Sequence, residues 1–235
     1  MEKDAETPKN RGGQYIKSIV YGGLDGIITT FAVVAGSVGG ELSFKVALIL
    51  GFSNLLADGF SMAVGDFLST KSQNEYEKNI RYKKQVDITQ HPEQEKGQLM
   101  NSLVEQGINT NDANLLVDTL AKYDKPFVNQ VMKLEYGSNT TEGSPVKNAV
   151  VTFLSFSIFG VVPLLIYVLA MYIPSLLDNS FFIASILTGM TLFSLGAMKS
   201  KVIHTNWLRS GFEMLLVGGL AALVAYVVGA FLGGL

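Results

Sequence analysis

Five long apolar stretches constrain the fold of this chain more than any other feature of its sequence. A helix needs about 20 mostly apolar residues to cross the hydrocarbon core of a bilayer. Stretches of this length cover residues 15–40, 46–69, 149–173, 181–199 and 211–235. One such run can be a helix buried in a soluble protein, but five in one chain favour membrane spans. The sequence therefore predicts an all-α, polytopic membrane protein with five transmembrane helices.

Two prolines predict the shape of the third stretch, one inside it and one just after it. Pro163 lies near its middle and removes one backbone hydrogen bond, so a kink is expected there. Membrane helices tolerate such a kink when neighbouring groups satisfy the freed carbonyl. Pro174 is expected to end this span.

The segment between spans two and three differs in composition from the rest of the chain. It is polar and charged, and it contains no run that could cross a bilayer. Span two continues into it without a helix breaker until His91-Pro92, and three shorter helices are expected to follow. The predicted organisation is a cytosolic tail (residues 1–14), transmembrane helices 1 and 2 (15–69), a cytosolic helical insertion (70–147) and transmembrane helices 3 to 5 (148–235).

The basic residues predict the orientation of the chain, because lysine and arginine are enriched in cytosolic segments. Of the 18 basic residues, 17 lie near the N-terminus, in the insertion, or in the loop between spans four and five. These segments share one side of a five-span chain, and only Lys45 falls on the other. The N-terminus is therefore predicted to be cytosolic and the C-terminus non-cytosolic.

Composition and motifs exclude several classes of function. The chain has no cysteine, which excludes disulfide frameworks, thiolate zinc sites and cysteine nucleophiles. Positive and negative charges are interspersed, so no basic stripe is available for nucleic acid. His91 and His204 are the two histidines, neither in the middle of a span, and no catalytic motif is present. We therefore expect neither an enzyme nor a prosthetic group.

Four carboxylates lie in or near the apolar stretches: Asp25, Asp58, Asp66 and Glu213. A charge inside a span is costly and usually functional. Asp25 is flanked by glycines that let other backbones approach closely, although the helix dipole also favours a carboxylate near a helix start. Asp66 and Glu213 lie nearer the span ends, where a solvated side chain would explain them equally well.

Span two carries two neighbouring stripes. Asn54, Asp58, Met62 and Asp66 recur at every fourth position, so they lie along one face of a helix. A second stripe consists of small residues that let helices pack backbone to backbone, namely Ser53, Ala57, Ser61, Gly65 and Ser69. Carboxylates alone suit Mg²⁺ and Ca²⁺, whereas an added thioether favours a transition metal. The first stripe therefore predicts a path for a divalent transition-metal ion.

Four segments carry a resemblance to a known family: GGLDG at 22–26, ADGFSMAVGD at 57–66, SLGAMKS at 194–200 and SGFEM at 210–214. Together they resemble the vacuolar iron transporter family, over nearly the whole chain. The resemblance implies a homodimer of five-helix protomers with the ion path at the subunit interface. It also implies proton-coupled export of Fe²⁺ or Mn²⁺ from the cytosol, with Asp25 and Met62 in the path. Finally, it implies metal binding by glutamates and methionines of the insertion.

Within the insertion the resemblance is incomplete. The residues that match the family's metal ligands are Asp87, Glu95, Met132 and Glu135, whereas Lys84, Gln98 and Val131 stand where further ligands are expected. The reduced negative charge predicts weaker or differently selective metal binding. The alternative is a solvated helical bundle that holds the dimer together. The family also usually has glutamate at the position of Asp66.

The sequence thus predicts a metal/proton antiporter that moves Fe²⁺, or Mn²⁺, out of the cytosol. A carboxylate holds a proton or a cation but poorly both, so the binding of one expels the other. The residues assigned to the path are Asp25, Asn54, Asp58, Met62, Asp66 and Glu213. The membrane is expected to be that of a vacuole-like organelle in a eukaryote or the cell membrane in a prokaryote. The alternative function is a membrane-anchored metal sensor or scaffold without transport, which leaves Asp25 and Asp58 unexplained.

Overall fold

The chain is almost entirely helical. The computed structural model describes residues 11–136 and 143–235, with every side chain there except those of residues 11–14, 135–136 and 202–203. In chain order the α-helices of this part are α1 (Arg11–Gly39), α2 (Phe44–Gln90), α3 (Pro92–Glu105), α4 (Thr110–Leu120), α5 (Asp124–Tyr136), α6 (Pro145–Gly160), α7 (Val162–Ala170), α8 (Ser180–Ile203) and α9 (Trp207–Gly233). Residues 1–10 of the predicted tail lie outside the described residues. α1 begins at Arg11, and the part of it that could span a membrane begins at Tyr15.

The chain divides into two compact units, Met1–Leu68 with Pro145–Leu235 and Ser69–Ser144. The first unit carries the membrane spans. Four helices, α1, α2, α8 and α9, are long and apolar enough to cross a bilayer, and α6 with α7 makes a fifth span if the bent pair is counted as one. The prediction of an all-α, polytopic membrane protein is confirmed.

The third predicted span is bent at its proline. α6 ends at Gly160 and α7 begins at Val162, with an angle of 45° between them. Pro163 is the second residue of α7 and has no N–H to donate to the preceding turn, so the ladder of helical hydrogen bonds is interrupted. The predicted kink is confirmed. The helix ends at Ala170, ahead of Pro174, and a 3-10 turn begins at that proline.

α1 is packed tightly between two other helices of the first unit. On one side Gly26 touches the backbone of Phe156 in α6, so that a Cβ at Gly26 would overlap the carbonyl oxygen of Phe156. On another side Gly229 of α9 meets Gly36 of α1 in the same way. Such backbone contacts are a main source of helix association in a membrane, where hydrophobic burial contributes little between helices. They fix α1 between α6 and α9.

The second unit is a small helical bundle with its own apolar core. The core consists of buried side chains from α3, α4 and α5, namely Leu99, Leu103, Ala113, Val117, Phe127 and Val131. Ile88 of α2 packs against this core, and α2 runs unbroken to Gln90, as the sequence predicts. Val131 is 1% exposed, so this position supplies apolar packing.

The ends of the short helices follow from local backbone chemistry. Gly107 adopts a φ of +95° after α3, a conformation that glycine reaches without strain. α3 therefore ends just before this glycine. Asn109 caps α4, because its side-chain oxygen accepts the backbone N–H of Asn111 at 2.9 Å.

Candidate functional site

The polar stripe of α2 lies at the border between the protomer interior and its surface. Asn54, Asp58, Met62 and Asp66 are all half-buried, and four residues of helix separate successive members by about 6 Å. Behind the stripe α2 packs against the bent third span, with Leu55 only 4% exposed. The stripe is therefore supported by the protomer on one side and open on the other.

The open side of α2 is the stripe of small residues. All five members are exposed: Ser53, Ala57, Ser61, Gly65 and Ser69. A Cβ added at Gly65 would have no atom within 4 Å among the described residues. This face is thus flat and narrow enough for another helix to approach the α2 backbone.

Asp25 of α1 and Asp58 of α2 form a pair of carboxyl groups. Both are half-buried, and they lie close enough for their charges to interact. Two neighbouring carboxylates repel each other when both are ionised, and a proton or a cation between them removes that repulsion. Asp58 is also one helical turn from Met62, so a soft sulfur ligand is available beside the pair.

Asp66 has different neighbours. Its Oδ2 accepts a hydrogen bond from Ser18 Oγ of α1 at 3.1 Å and another from Thr152 Oγ1 of α6 at 2.5 Å. Ser18 is 7% exposed and Thr152 is 1% exposed. The carboxylate is thus held by two buried hydroxyl groups from two helices, and it is not simply solvated at the end of a span.

Glu213 lies apart from these groups. It is exposed on α9, whereas Asp25, Asp58 and Asp66 are half-buried. The structure thus brings Asp25 together with Asp58. A place in the path for Glu213 stays a prediction.

The predicted metal ligands of the second unit include a carboxylate that already has a cationic partner. Lys84 Nζ lies 3.1 Å and 2.9 Å from the two carboxylate oxygens of Glu95, and the side chains are 9% and 6% exposed. Asp87 is exposed and Met132 is buried, and the side chain of Glu135 lies outside the described residues. Among the described residues no group of three His, Cys, Asp or Glu side chains could hold a metal ion.

A sequence model of the VIT family matches residues 16–230 of the chain. This chain belongs to the VIT family. It is 36% identical to the vacuolar iron transporter of Toxoplasma gondii, over 97% of this chain and 77% of that protein. It is 30% identical to the vacuolar iron transporter of Plasmodium falciparum (92% and 82%) and 27% identical to vacuolar iron transporter 1 of Arabidopsis thaliana (95% and 88%). The resemblance predicted from the four motifs is confirmed.

Sequence reasoning missed two features of this VIT-family site. Ser18 and Thr152 are hydroxyl residues in apolar helices, a common pattern that does not by itself identify the partner Asp66. The pairing of Lys84 with Glu95 joins two helices across the turn at His91-Pro92, and the sequence indicated only that Lys84 lowers the negative charge. Helical spacing relates residues within one helix, so neither contact could be found from it.

Proposed function

We propose that this VIT-family chain transports divalent transition-metal ions across its membrane, with Fe²⁺ as the principal cargo and Mn²⁺ as a second. The observation that carries the proposal is the presence of two half-buried carboxyl groups, Asp25 and Asp58, in apolar helices. Ionisable groups inside spans are expensive and mark ion pathways. A cation that lies between them offsets both the cost of burial and their mutual repulsion.

Ligand chemistry favours a transition metal over Mg²⁺ or Ca²⁺. Met62 adds a thioether one turn from Asp58, and soft sulfur ligands bind transition metals better than alkaline-earth ions. The relatives named above are called vacuolar iron transporters, which supports iron as the cargo. We propose that the metal is bound as cargo and that the chain needs no prosthetic group.

Proton exchange follows from the use of carboxylates as ligands. A carboxylate that has released its metal ion in a low-dielectric span recovers stability by taking up a proton. Protons moving in the opposite direction would reset Asp25 and Asp58 for the next cation. With the N-terminus and the insertion in the cytosol, as the basic residues predict, metal would leave the cytosol as protons enter.

We further propose that the transporter is a homodimer, with the small-residue face of α2 at the interface. That face is exposed in the protomer, and small residues at every fourth position are typical of close helix–helix contacts in membranes. A second copy of α2 in this position would bring a second polar stripe next to the first. The ion would then pass between two sets of carboxylates and thioethers.

Uptake of metal into proteoliposomes tests the proposal. The purified chain, reconstituted into liposomes that contain a fluorescent metal indicator, should admit Fe²⁺ and Mn²⁺ and exclude Mg²⁺. Liposomes without protein provide the control for leakage. Metal binding with no uptake would instead support a membrane-anchored sensor or scaffold.

A further inference from the structure

Several hydroxyl groups in the spanning helices bond to their own helix. Thr29, Ser185 and Thr191 each donate to the carbonyl oxygen of the residue four positions earlier, which is the usual local bond of such side chains in helices. Thr152 and Ser18 depart from this pattern, since both donate across helices to the same carboxylate oxygen of Asp66. The contact therefore joins α1, α2 and α6 at one point.

The two donors lie on helices α1 and α6, which are packed tightly against each other. Gly22 of α1 packs so closely on α6 that an added Cβ would lie 2.8 Å from the carbonyl oxygen of Thr152. In the same region Ser155 of α6 donates its hydroxyl to the carbonyl oxygen of Ile19 in α1 at 2.6 Å. Because α1 and α6 are held together there, Ser18 and Thr152 define a fixed direction for the Asp66 side chain.

Asp66 is the last member of the polar stripe. It lies two residues before Leu68, where α2 leaves the first unit. Beyond it α2 continues into the polar second unit. In the proposed orientation, a cation that leaves the cytosol reaches Asp66 before it reaches Met62 and Asp58.

We infer that Thr152 and Ser18 are positioning residues that aim the carboxylate of Asp66 as the first ligand for the incoming cation. The inference rests on the proposed metal transport. A correctly aimed ligand at the mouth of a path affects how readily the ion is captured, because misplacing a binding group by even 1 Å weakens the interaction strongly. It has less effect on later steps that take place at Asp25 and Asp58.

The test is the dependence of Fe²⁺ uptake on Fe²⁺ concentration in proteoliposomes, with purified full-length variants. Thr152→Val removes the hydroxyl and keeps the shape of the side chain. We expect it to raise KM about tenfold, the effect of losing one hydrogen bond to a charged group, with little change in the maximal rate. Thr152→Ser, which keeps the hydroxyl, should restore the wild-type KM.

Thr188→Val is the matched control. Thr188 is also a buried threonine in a spanning helix, at 2% exposure, and its hydroxyl has no hydrogen-bond partner among the described residues. We expect this variant to keep the wild-type KM. In an Asp66→Asn background, Thr152→Val should cause no further rise in KM, because the positioned charge is already absent.

The outcomes separate the inference from the proposed function. Wild-type uptake together with an unchanged KM in Thr152→Val would overturn the inference alone, as would an equal change in Thr188→Val. An additional rise in KM from Thr152→Val on top of Asp66→Asn would also overturn it. If the wild-type protein moves no metal, the proposed transport fails and the inference fails with it.

Discussion

Asp25, Asp58 and Asp66 are half-buried carboxylates in apolar helices, but their surroundings differ. Asp25 and Asp58 lie close enough for their charges to interact, and a cation bound near both would offset their repulsion. Asp66 accepts two hydroxyl hydrogen bonds, which compensate for its removal from water. The first pair is thus suited to binding and releasing ions, and the third carboxylate to a fixed position.

Asp25→Asn should abolish Fe²⁺ uptake by proteoliposomes, because an amide cannot supply the negative charge that offsets the cation's lost hydration. Met62→Ala should impair uptake without abolishing it, since the carboxylates remain. Asp178→Asn is the matched control, because Asp178 is an exposed aspartate outside the α-helices, and it should transport normally. Normal uptake by a well-inserted Asp25→Asn protein would remove Asp25 from the path.

The ion pair of Lys84 and Glu95 makes a prediction about stability. Lys84→Met leaves a buried carboxylate without its cation, which should lower the free energy of unfolding of the second unit by about 3–5 kcal/mol. Replacing both residues by methionine should recover much of this loss, because the uncompensated charge is gone. The measurement is chemical unfolding of the full-length protein in detergent, followed by circular dichroism.

The exposed pair of Lys96 and Glu93 offers the control for this experiment. It has a similar distance, 2.8 Å, but the Glu93 side chain is 83% exposed, so solvent screens the interaction. Lys96→Met should therefore change the unfolding curve little. Equal effects of Lys84→Met and Lys96→Met on the free energy of unfolding would show that the buried ion pair contributes no more to stability than the exposed one.

At the scale of elements, α2 carries a polar stripe and a stripe of small residues on adjacent faces. Its polar stripe is half-buried against the protomer, whereas its small-residue stripe is exposed. In the proposed dimer, a polar face beside a flat packing face would place the proposed ion ligands at the edge of a helix–helix contact. The same helix continues to Gln90 and supplies Lys84 to the second unit.

The small-residue face predicts a symmetric contact between two copies of α2. The chain has no cysteine, so a single Ser61→Cys substitution gives an unambiguous test of this contact. Mild oxidation in native membranes should link two protomers through this residue. Leu216→Cys, at an exposed position of α9, is the control, and it should cross-link two protomers far less efficiently.

Gly65→Leu should lower the dimeric fraction, measured by photobleaching steps of labelled protein in liposomes, because a bulky side chain separates the two helices. Gly219→Leu is its control, since Gly219 has equally open surroundings on another spanning helix. Efficient cross-linking at Leu216 instead of Ser61, with no effect of Gly65→Leu, would place the interface elsewhere.

At the scale of the whole molecule, the proposed exchange of metal for protons predicts a dependence on the pH gradient. Fe²⁺ uptake should accelerate when the liposome interior is more acidic than the outside, because internal protons then displace metal from the carboxylates. Collapsing the gradient with a proton ionophore should remove the acceleration. Fe²⁺ uptake that does not depend on the pH gradient would indicate a channel or a uniporter.

The sequence by itself determined the elements of this protein. The lengths of the apolar stretches, the break at His91-Pro92 and the kink at Pro163 all follow from local backbone chemistry and from the thickness of a bilayer. The four motifs were sufficient to identify the VIT family. Helical spacing also placed Asn54, Asp58, Met62 and Asp66 on one face, because that relation lies within a single helix.

Only the tertiary structure decided which residues of different helices meet. The interaction of Asp58 with Asp25, and the hydrogen bonds of Asp66 to Ser18 and Thr152, depend on how α1, α2 and α6 cross. Side-chain periodicity within one helix does not specify these crossings, and the crossing of α1 with α6 depends on backbone contacts at Gly22 and Gly26. The periodicity of the sequence therefore predicted the faces of the helices, and the packing of those helices determined the partners.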